Sequence, residues 1–505
     1  MRYIASGEEM AGIDAYTIDE IGVPQLVLME RAALCVYDYI REHFDEGAKV
    51  LVVCESGNNG GDGVAVARLL FLGGFDVELH FIGGLSKQSE AFKVQMNMAK
   101  KLKIKMADEI VNYGYDVVVD AIFGVGLKRA VSGKQAEAVK LMNGIEGFKL
   151  AVDMPTGIDT DTGFILGTAF KADVTLTFGL MKTGLLSGMG NEYAGKVKVC
   201  DIGFPKQAVD YVNPRLYTYD SDEIEELLPF RRGDSHKGSF GRVSVIGGSF
   251  NMAGAPMFAA EAAYRMGCGL VRVCTVDANR EIVQTRLPEA VLTTFDPEDP
   301  NDVRRAVKDT IDWSDVIVLG PGLSREEYAA LILEGVLHDY DKKLIVDADG
   351  LNLLAKVKDL LLKTKAEVVL TPHLAEMSRL NGEKIAHIKE HKYEMAKAFA
   401  SEYKCVVALK DARTVVSDGS RQAYLNTTGD NGMATGGSGD VLTGIIAGLM
   451  AQGLSGMEAA SLGSLLHGLA GESASHEMGL YGVIAGDIVR NVSRVIERFR
   501  ESEKE

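Results

Sequence analysis

The stretch Met433-Ala434-Thr435-Gly436-Gly437-Ser438-Gly439-Asp440-Val441-Leu442-Thr443-Gly444 decides how the second half of this chain is read. A glycine-rich turn runs directly into the uncharged segment 441–457. The glycines and Gln452 within that segment mark a buried helix ending at a turn, not a membrane span. Glycine lets a backbone approach an anion closely, and the first turn of a helix presents unpaired N–H groups. The amides of residues 437–440 therefore predict an anion hole able to stabilise a phosphoryl group in flight. Asp440 stands beside it as base for an attacking hydroxyl, and the helix dipole is expected to favour its ionised form. A capping role alone does not need so many glycines ahead of a fully apolar helix.

Outward from this motif, short apolar runs bounded by glycine alternate with helix-like segments. In the second half the strand candidates are 242–246, 270–275, 316–319, 343–346, 368–370 and 405–409, with closing helices at 440–450, 457–473 and 484–499. Polar residues follow several of these runs: Gly247-Gly248-Ser249, Gly320-Pro321-Gly322, Asp347-Ala348-Asp349, Thr371-Pro372-His373 and Lys410-Asp411-Ala412-Arg413-Thr414. Lys410 is a candidate phosphate contact, and His373 either orients a substrate or is structural. The first half repeats the alternation with strands at 49–54, 77–82, 116–121, 149–152 and 174–178, and helices at 63–72 and 134–142. An amphipathic stretch, 10–44, precedes them and should break at Gly22-Val23-Pro24. This alternation predicts an α/β protein with parallel sheets covered by helices on both faces. The strand pattern lapses at 201–228, which places two domains at 1–213 and 214–505 and leaves a polar, frayed tail at 501–505.

Composition agrees. At about 100–200 residues per domain, 505 residues imply at least two domains, and 47% hydrophobic with 25% charged residues is globular. The net charge is −17, divided as 21 basic against 28 acidic residues in 1–213 and 33 against 43 in the remainder. Neither half is basic, which argues against a nucleic-acid binder. The six cysteines include no CxxC pair and are expected to be free thiols of a reducing, cytoplasmic protein. No secretory leader is expected, because Arg2 precedes no apolar run and Glu8 and Glu9 follow soon after.

In the first half, Ser56-Gly57-Asn58-Asn59-Gly60-Gly61-Asp62-Gly63 follows a strand and opens a helix, the arrangement of an anion cradle without the GxGxxG spacing. Asp62 either accepts hydrogen bonds from a ribose or caps the helix. Two further strand ends carry Asp120, ahead of Phe123-Gly124-Val125-Gly126-Leu127-Lys128-Arg129, and Asp153-Met154-Pro155-Thr156-Gly157. Ligands of open parallel sheets bind beyond the carboxyl ends of the strands, so these loops should converge on one crevice. Asn59, Asp120 and Thr156 offer oxygens suited to a hard cation.

Together with Met10, Asp14, Gly22 and Leu28-Met29-Glu30, these motifs resemble the NAD(P)H-hydrate epimerase family over about residues 10–205. The resemblance implies a Rossmann-like sheet and binding of the hydrated nicotinamide nucleotide by Asn58, Asn59, Gly60, Gly61 and Asp62, by Gly124, Val125, Gly126, Leu127, Lys128, Arg129 and Ala130, and by Asp153. It implies potassium at Asn59, Asp120 and Thr156, and Asp153 is the candidate to move the proton at C6. Ala33 and Gln135 stand where that family often shows Gly and Tyr.

The second half is similar to the ribokinase-like superfamily and, within it, to ADP/ATP-dependent NAD(P)H-hydrate dehydratase over about 225–500. Besides the Gly-Ser-Gly-Asp turn, the likeness rests on Ser235-His236-Lys237-Gly238, Asp347-Ala348-Asp349-Gly350-Leu351-Asn352, Thr371-Pro372-His373 with Glu376, and Asn426-Thr427-Thr428-Gly429. It implies an αβα sandwich, hydrate binding by Ala255, Gly322, His373 and Asp440, and adenine-nucleotide binding by Lys410, Asp411, Ala412, Arg413, Thr414 and Gly439. Asp411 stands where Gly is common, adding negative charge that either weakens nucleotide binding or points to solvent, and Asp430-Asn431 stands where Asn-Pro is common. The implied activity is repair of NADHX and NADPHX: epimerisation of the R and S forms, then dehydration of S with ADP or ATP and Mg²⁺. A homo-oligomer with no nucleic-acid or membrane partner is the family expectation. The alternative is a small-alcohol kinase fused to a nucleotide-binding scaffold.

Overall fold

Runs such as Val50-Leu51-Val52-Val53 are apolar on both faces of a strand and have no exposure at all, so each sheet they build needs helices on both sides. In the computed structural model, which describes residues 1–83, 88–111 and 114–501, the chain divides into two units. One is Tyr3–Arg215; the other is Leu216–Glu505 with Met1–Arg2. The division falls two residues beyond the expected position, where Leu216 opens the short strand Leu216–Thr218. The tail residues 502–505 lie outside the described residues.

The N-terminal unit carries a sheet in the order Lys105–Met106, Asp76–Phe81, Lys49–Cys54, Val117–Ala121, Phe148–Val152, Val174–Phe178, Lys196–Cys200, parallel throughout. The order reverses between Lys49–Cys54 and Val117–Ala121, and at such a switch point the loops leaving two neighbouring strands part and open a crevice. Helices Gln25–His43, Asn58–Leu72 and Glu90–Lys101 bury one face of the sheet. Gly133–Asn143 closes the other. The expected break at residues 22–24 separates helices Gly7–Asp19 and Gln25–His43. Helix Asn58–Leu72 begins five residues earlier than expected, so the Asn58–Asp62 motif is its first turn and not a preceding loop. Gly63 lets that helix lie on the sheet, since a Cβ there would overlap the Cβ of Ala121.

In the C-terminal unit the strands run in the order Val291–Phe295, Leu270–Val276, Arg242–Ile246, Val316–Leu319, Lys343–Val346, Glu367–Leu370, Val406–Leu409, Val415–Ser417, Ala423–Leu425, Leu216–Thr218. Pairing is parallel as far as Val406–Leu409; Val415–Ser417 and Ala423–Leu425 then pair antiparallel. The parallel sheet expected from the alternation thus carries two short antiparallel strands beyond Val406–Leu409. Four strands of this unit lie outside the expected set: Val291–Phe295, Leu216–Thr218 and the two antiparallel pieces, which are three residues each around the Asp418-Gly419-Ser420 turn and too short to show a period. One face packs on helices Gly254–Arg265, Ser438–Ala451, Gly456–Met478 and Ala485–Glu501. The alternate residues Ile317, Leu319, Leu344 and Val346 are equally buried on the other side. Ser438–Ala451 is buried all round from Val441 to Met450, and Gly444 permits this: a Cβ there would overlap the carbonyl oxygen of Ala259. No helix of the described residues is long and apolar enough to cross a membrane. All six cysteines are free thiols.

Candidate active sites

In the N-terminal unit a cavity of about 500 Å³ opens at the carboxyl edge of the sheet, within the size range of small-molecule sites. Its wall includes Asn58, Asn59 and Asp62 from the helix start, Gly124, Val125, Gly126 and Leu127 from the loop after Val117–Ala121, and Asp153. The three loops thus meet. Gly60 and Gly61 are buried behind that wall, and a Cβ on Gly60 would overlap the carbonyl oxygen of Glu55. Lys128, Arg129 and Ala130 do not line it: the loop turns outward after Leu127, and Lys128 pairs with Asp161 at 2.7 Å on the surface.

Asp153 has φ 67°, a left-handed conformation unusual for a side chain larger than Gly, at the end of strand Phe148–Val152. Its Oδ1 accepts hydrogen bonds from Lys182 Nζ (2.7 Å), Thr177 Oγ1 (3.2 Å) and the amide of Phe178 (3.2 Å). Three donors on one oxygen leave Oδ2 to face the cavity, where it lies 3.3 Å from the position a Cβ would take on Gly124. Lys182, at 1% exposure, also donates to the carbonyl of Phe178 at 2.6 Å. Its strand, Met181–Lys182, is held in register with Ile4 and Ala5. The sequence reading missed this lysine, although a lone cation inside the apolar run after Phe178-Gly179 was a usable signal. Burial pushes Asp62 well above the ordinary carboxylate range, with Asp153 and Asp14 adding to the effect. Burial, then Asp153 and Asp19, raise Asp14 as well. Asp62 does not cap its helix: Gly57 is the cap, no side chain bonds there, and Asp62 lines the cavity from inside the helix.

Asp120 is fully buried beneath the same crevice. It accepts from the amide (2.7 Å) and hydroxyl (2.7 Å) of Thr156 and from the amide of Ile122 (3.2 Å), yet burial still pushes it up to about 6. No cation of the described residues pairs with it. The buried amide nitrogen of Asn59 likewise has no hydrogen-bond partner among the described residues, and its O and N positions are interchangeable by a flip of the amide. An uncompensated carboxylate, a hydroxyl and an amide free to present oxygen are a donor set that fits a hard monovalent cation.

In the C-terminal unit, Gly437 caps helix Ser438–Ala451 with φ 91°, and no side chain bonds its first amides. Asp440 lies in the first turn with no hydrogen-bond or ion-pair partner among the described residues. Burial first, then the neighbouring carboxylate of Asp347, pushes it up to about 7. This corrects the expectation that the dipole would hold it ionised: desolvation and a second negative charge outweigh the helix end. Lys410 Nζ donates to Asp347 Oδ1 at 2.7 Å and lies 3.2 Å from where a Cβ of Gly439 would be. Burial acts to lower the proton affinity of Lys410, but Asp347, Glu376 and Asp440 together raise it.

His373 caps helix Leu374–Asn381: its Nδ1 accepts from the amides of Ala375 (3.1 Å) and Glu376 (3.2 Å), which assigns the ring proton to Nε2. Burial, then Lys410 and Arg379, depress its proton affinity. Glu376, pushed up to about 7 by burial, accepts from the amide of His373. Ala255 and Gly322 adjoin each other, with a Cβ on Gly322 reaching 3.3 Å from that of Ala255. Asp411, Ala412, Arg413 and Thr414 follow strand Val406–Leu409. Asp411 neither points to solvent nor stays uncompensated, because Lys392 pairs with it at 3.0 Å. Asp430 accepts from the amide of Gly432 and from Ser475 Oγ.

Comparison with known proteins settles the family. Over 99% of this chain and 97% of the relative's length, the sequence is 37% identical to the bifunctional NAD(P)H-hydrate repair enzyme Nnr of Moorella thermoacetica. The chain belongs to the bifunctional NAD(P)H-hydrate repair enzymes. The Escherichia coli enzyme of the same name is 32% identical over 95% of this chain and 91% of its own length. Residues 243–494 match the model for NAD(P)H-hydrate dehydratase, and 25–184 match that for the YjeF-related protein N-terminus. Among solved structures, the ADP/ATP-dependent NAD(P)H-hydrate dehydratase of Bacillus subtilis, co-crystallised with ATP/Mg²⁺, superposes with TM-score 0.50 at 28% identity, covering 56% of this chain and 98% of that one. A ribokinase-like protein of Enterococcus faecalis gives 0.50 at 30%, covering 56% and 96%. A repair enzyme with an epimerase half and a dehydratase half therefore replaces the small-alcohol kinase reading.

Proposed function

We propose that the N-terminal cavity interconverts R- and S-NAD(P)HX and that the glycine turn at Asp440 dehydrates the S form at the expense of ADP or ATP. In the first site Asp153 moves the proton at C6 through Oδ2, while Lys182 holds Oδ1. Loss of the hydroxyl calls for a proton given to the departing oxygen, and opening of the ring for the hydroxyl proton to be taken as the C–N bond breaks; a single carboxyl group serves either route. Asn58, Asn59, Asp62 and the loop Gly124, Val125, Gly126 and Leu127 bind the nucleotide. Asn59, Asp120 and Thr156 would hold potassium, which would supply positive charge to the binding site.

In the second site Asp440 accepts the proton of the C6 hydroxyl as that oxygen captures the terminal phosphoryl group of the nucleotide. The ring-nitrogen lone pair then expels phosphate, restoring NAD(P)H; phosphorylation matters because hydroxide leaves poorly at neutral pH. Ala255, Gly322 and His373 hold the hydrate, and Lys410 with the loop to Thr414 and Gly439 holds the nucleotide. Among the described residues no group of three His, Cys, Asp or Glu side chains is arranged to hold a metal ion, so Mg²⁺ would arrive with the nucleotide phosphates. The carrying observation is an unpaired Asp440 at an uncapped helix start with an ammonium poised over Gly439. The same reading places the enzyme in the cytoplasm, where free thiols stay reduced, as a homo-oligomer.

The test supplies an R/S mixture with ADP or ATP and follows reduced-cofactor absorbance. Wild type should consume both epimers. Asp440→Ala should stop recovery, and Asp153→Ala should leave the R form behind except for slow spontaneous epimerisation. Full recovery by Asp440→Ala would overturn the dehydratase assignment.

A further inference from the structure

Asp347 is not among the positions assigned to the hydrate or the nucleotide, yet both oxygens of its carboxylate are hydrogen-bonded beside Asp440. It is 1% exposed at the end of strand Lys343–Val346. Oδ1 accepts from Lys410 Nζ at 2.7 Å, and Oδ2 accepts from Thr443 Oγ1 at 2.7 Å. Thr443 lies in the helix that begins at Ser438, where its hydroxyl also reaches the carbonyl of Gly439 at 3.1 Å. One buried carboxylate therefore ties the nucleotide-side lysine to the turn that supplies the anion hole. The geometry also sets up a competition. Lys410 feels three carboxylates, Asp347, Glu376 and Asp440, and is in ion-pair contact with Asp347. An ammonium pairing with Asp440 instead would hold that group as a neutralised salt bridge, unable to take a proton from the substrate.

We propose that Asp347 is a positioning residue for phosphoryl transfer, clamping Lys410 above Gly439 and away from Asp440 while seating the first turn of helix Ser438–Ala451 through Thr443. The proposal rests on the dehydratase reading of this site. With the clamp in place, Lys410 is left to meet the phosphoryl oxygens and Asp440 is left unpaired to meet the hydroxyl. Asp347→Asn keeps the shape but removes the charge, and Lys410 then turns to the remaining carboxylates.

The experiment measures ADP- or ATP-driven recovery of NADH by the full chain from pH 5.5 to 9, with Asp440→Asn in parallel. For Asp347→Asn, kcat should fall about 100-fold with KM for the hydrate within threefold. The acid limb of kcat/KM should move down by about one pH unit. The groups facing Asp440 are Asp347, Lys410, Glu376 and Asp349, and the variant removes one negative neighbour and releases the positive one. Loss of the negative charge alone moves that limb, so the fall in kcat on the alkaline plateau, where Asp440 is ionised in both proteins, is the readout that reports the clamp on Lys410. An unmoved limb, or a loss confined to KM, would overturn the proposal. Thr443→Val keeps the Asp347–Lys410 pair but unseats the turn, and should lower kcat about tenfold with the limb in place. An unchanged kcat there refutes the seating role however Asp347→Asn folds. If Asp440→Asn is inactive while the Asp347 limb stays put, this proposal alone fails; if Asp440→Asn retains activity, the dehydratase reading fails with it.

Discussion

Replacing Lys182 by Met separates the support of Asp153 from its chemistry. Met fills a similar volume but takes away the ammonium that donates to Asp153 Oδ1 at 2.7 Å and to the Phe178 carbonyl at 2.6 Å. Removing one partner of a buried ion pair costs about 3–5 kcal/mol, because the other charge is left without compensation. Asp153 keeps Thr177 Oγ1 and the Phe178 amide as donors, which argues for the lower end, about 3 kcal/mol. For a unit of this size that is a fall of about 1 M in the urea midpoint. The single tryptophan, Trp313, lies in the C-terminal unit, so its fluorescence is an internal control. The circular-dichroism transition of the N-terminal unit should move while the Trp313 transition stays. Epimerisation should fall at least about 100-fold, since the carboxylate loses the contact that aims Oδ2. Dehydration of purified S-NADHX should be unaffected. A midpoint shift below about 0.3 M, or an epimerisation rate within twofold of wild type, would refute the reasoning.

Dehydration should depend on pH through Asp440, which is held up at about 7 and acts as a base only when ionised: the rate should plateau above pH 8 and drop about tenfold per unit below 7, and a flat profile between pH 6 and 8 would sink this assignment. The linked stability effect has a definite sign. A carboxyl whose folded proton affinity exceeds its unfolded one costs stability as pH rises from about 4 through 7, so Asp440→Asn should be about 4 kcal/mol more stable than wild type at pH 8 and close to it at pH 4, read from Trp313 fluorescence. Exchanging potassium for lithium should slow epimerisation several-fold and leave dehydration unchanged, because the oxygen set of Asn59, Asp120 and Thr156 lies in the N-terminal unit; equal rates in both salts would remove the cation from that site.

Much of both candidate sites was legible because each lies where an apolar strand stops. Asp120, Asp153, Asp347 and Lys410 all stand at carboxyl ends of strands whose runs of Val, Leu and Ile are plain in the chain. Gly437 was legible for a related reason: an uncapped helix start needs a residue that tolerates φ 91°. Lys182 left only the trace of a lone cation in an apolar run, because its strand has two residues and is defined by pairing with Ile4 and Ala5, far away in sequence. Lys128, Arg129 and Ala130 came from the family resemblance; in the structure they lie outside the cavity wall, with Lys128 paired to Asp161.

By itself the sequence determined the alternation of strands and helices, the two-part organisation and the glycines that open each site, since these follow from local periodicity, steric demand and hydrophobicity. The tertiary structure decided the ionisation of the groups at those sites. Asp440 was expected to be held charged by its helix and is instead pushed up by burial and by Asp347, a residue 93 positions earlier in the chain. Asp411 was an isolated negative charge on paper and is paired with Lys392 in space. Proton affinity is a sum over desolvation and over charges within a few ångströms, and neither quantity exists until distant segments are brought together.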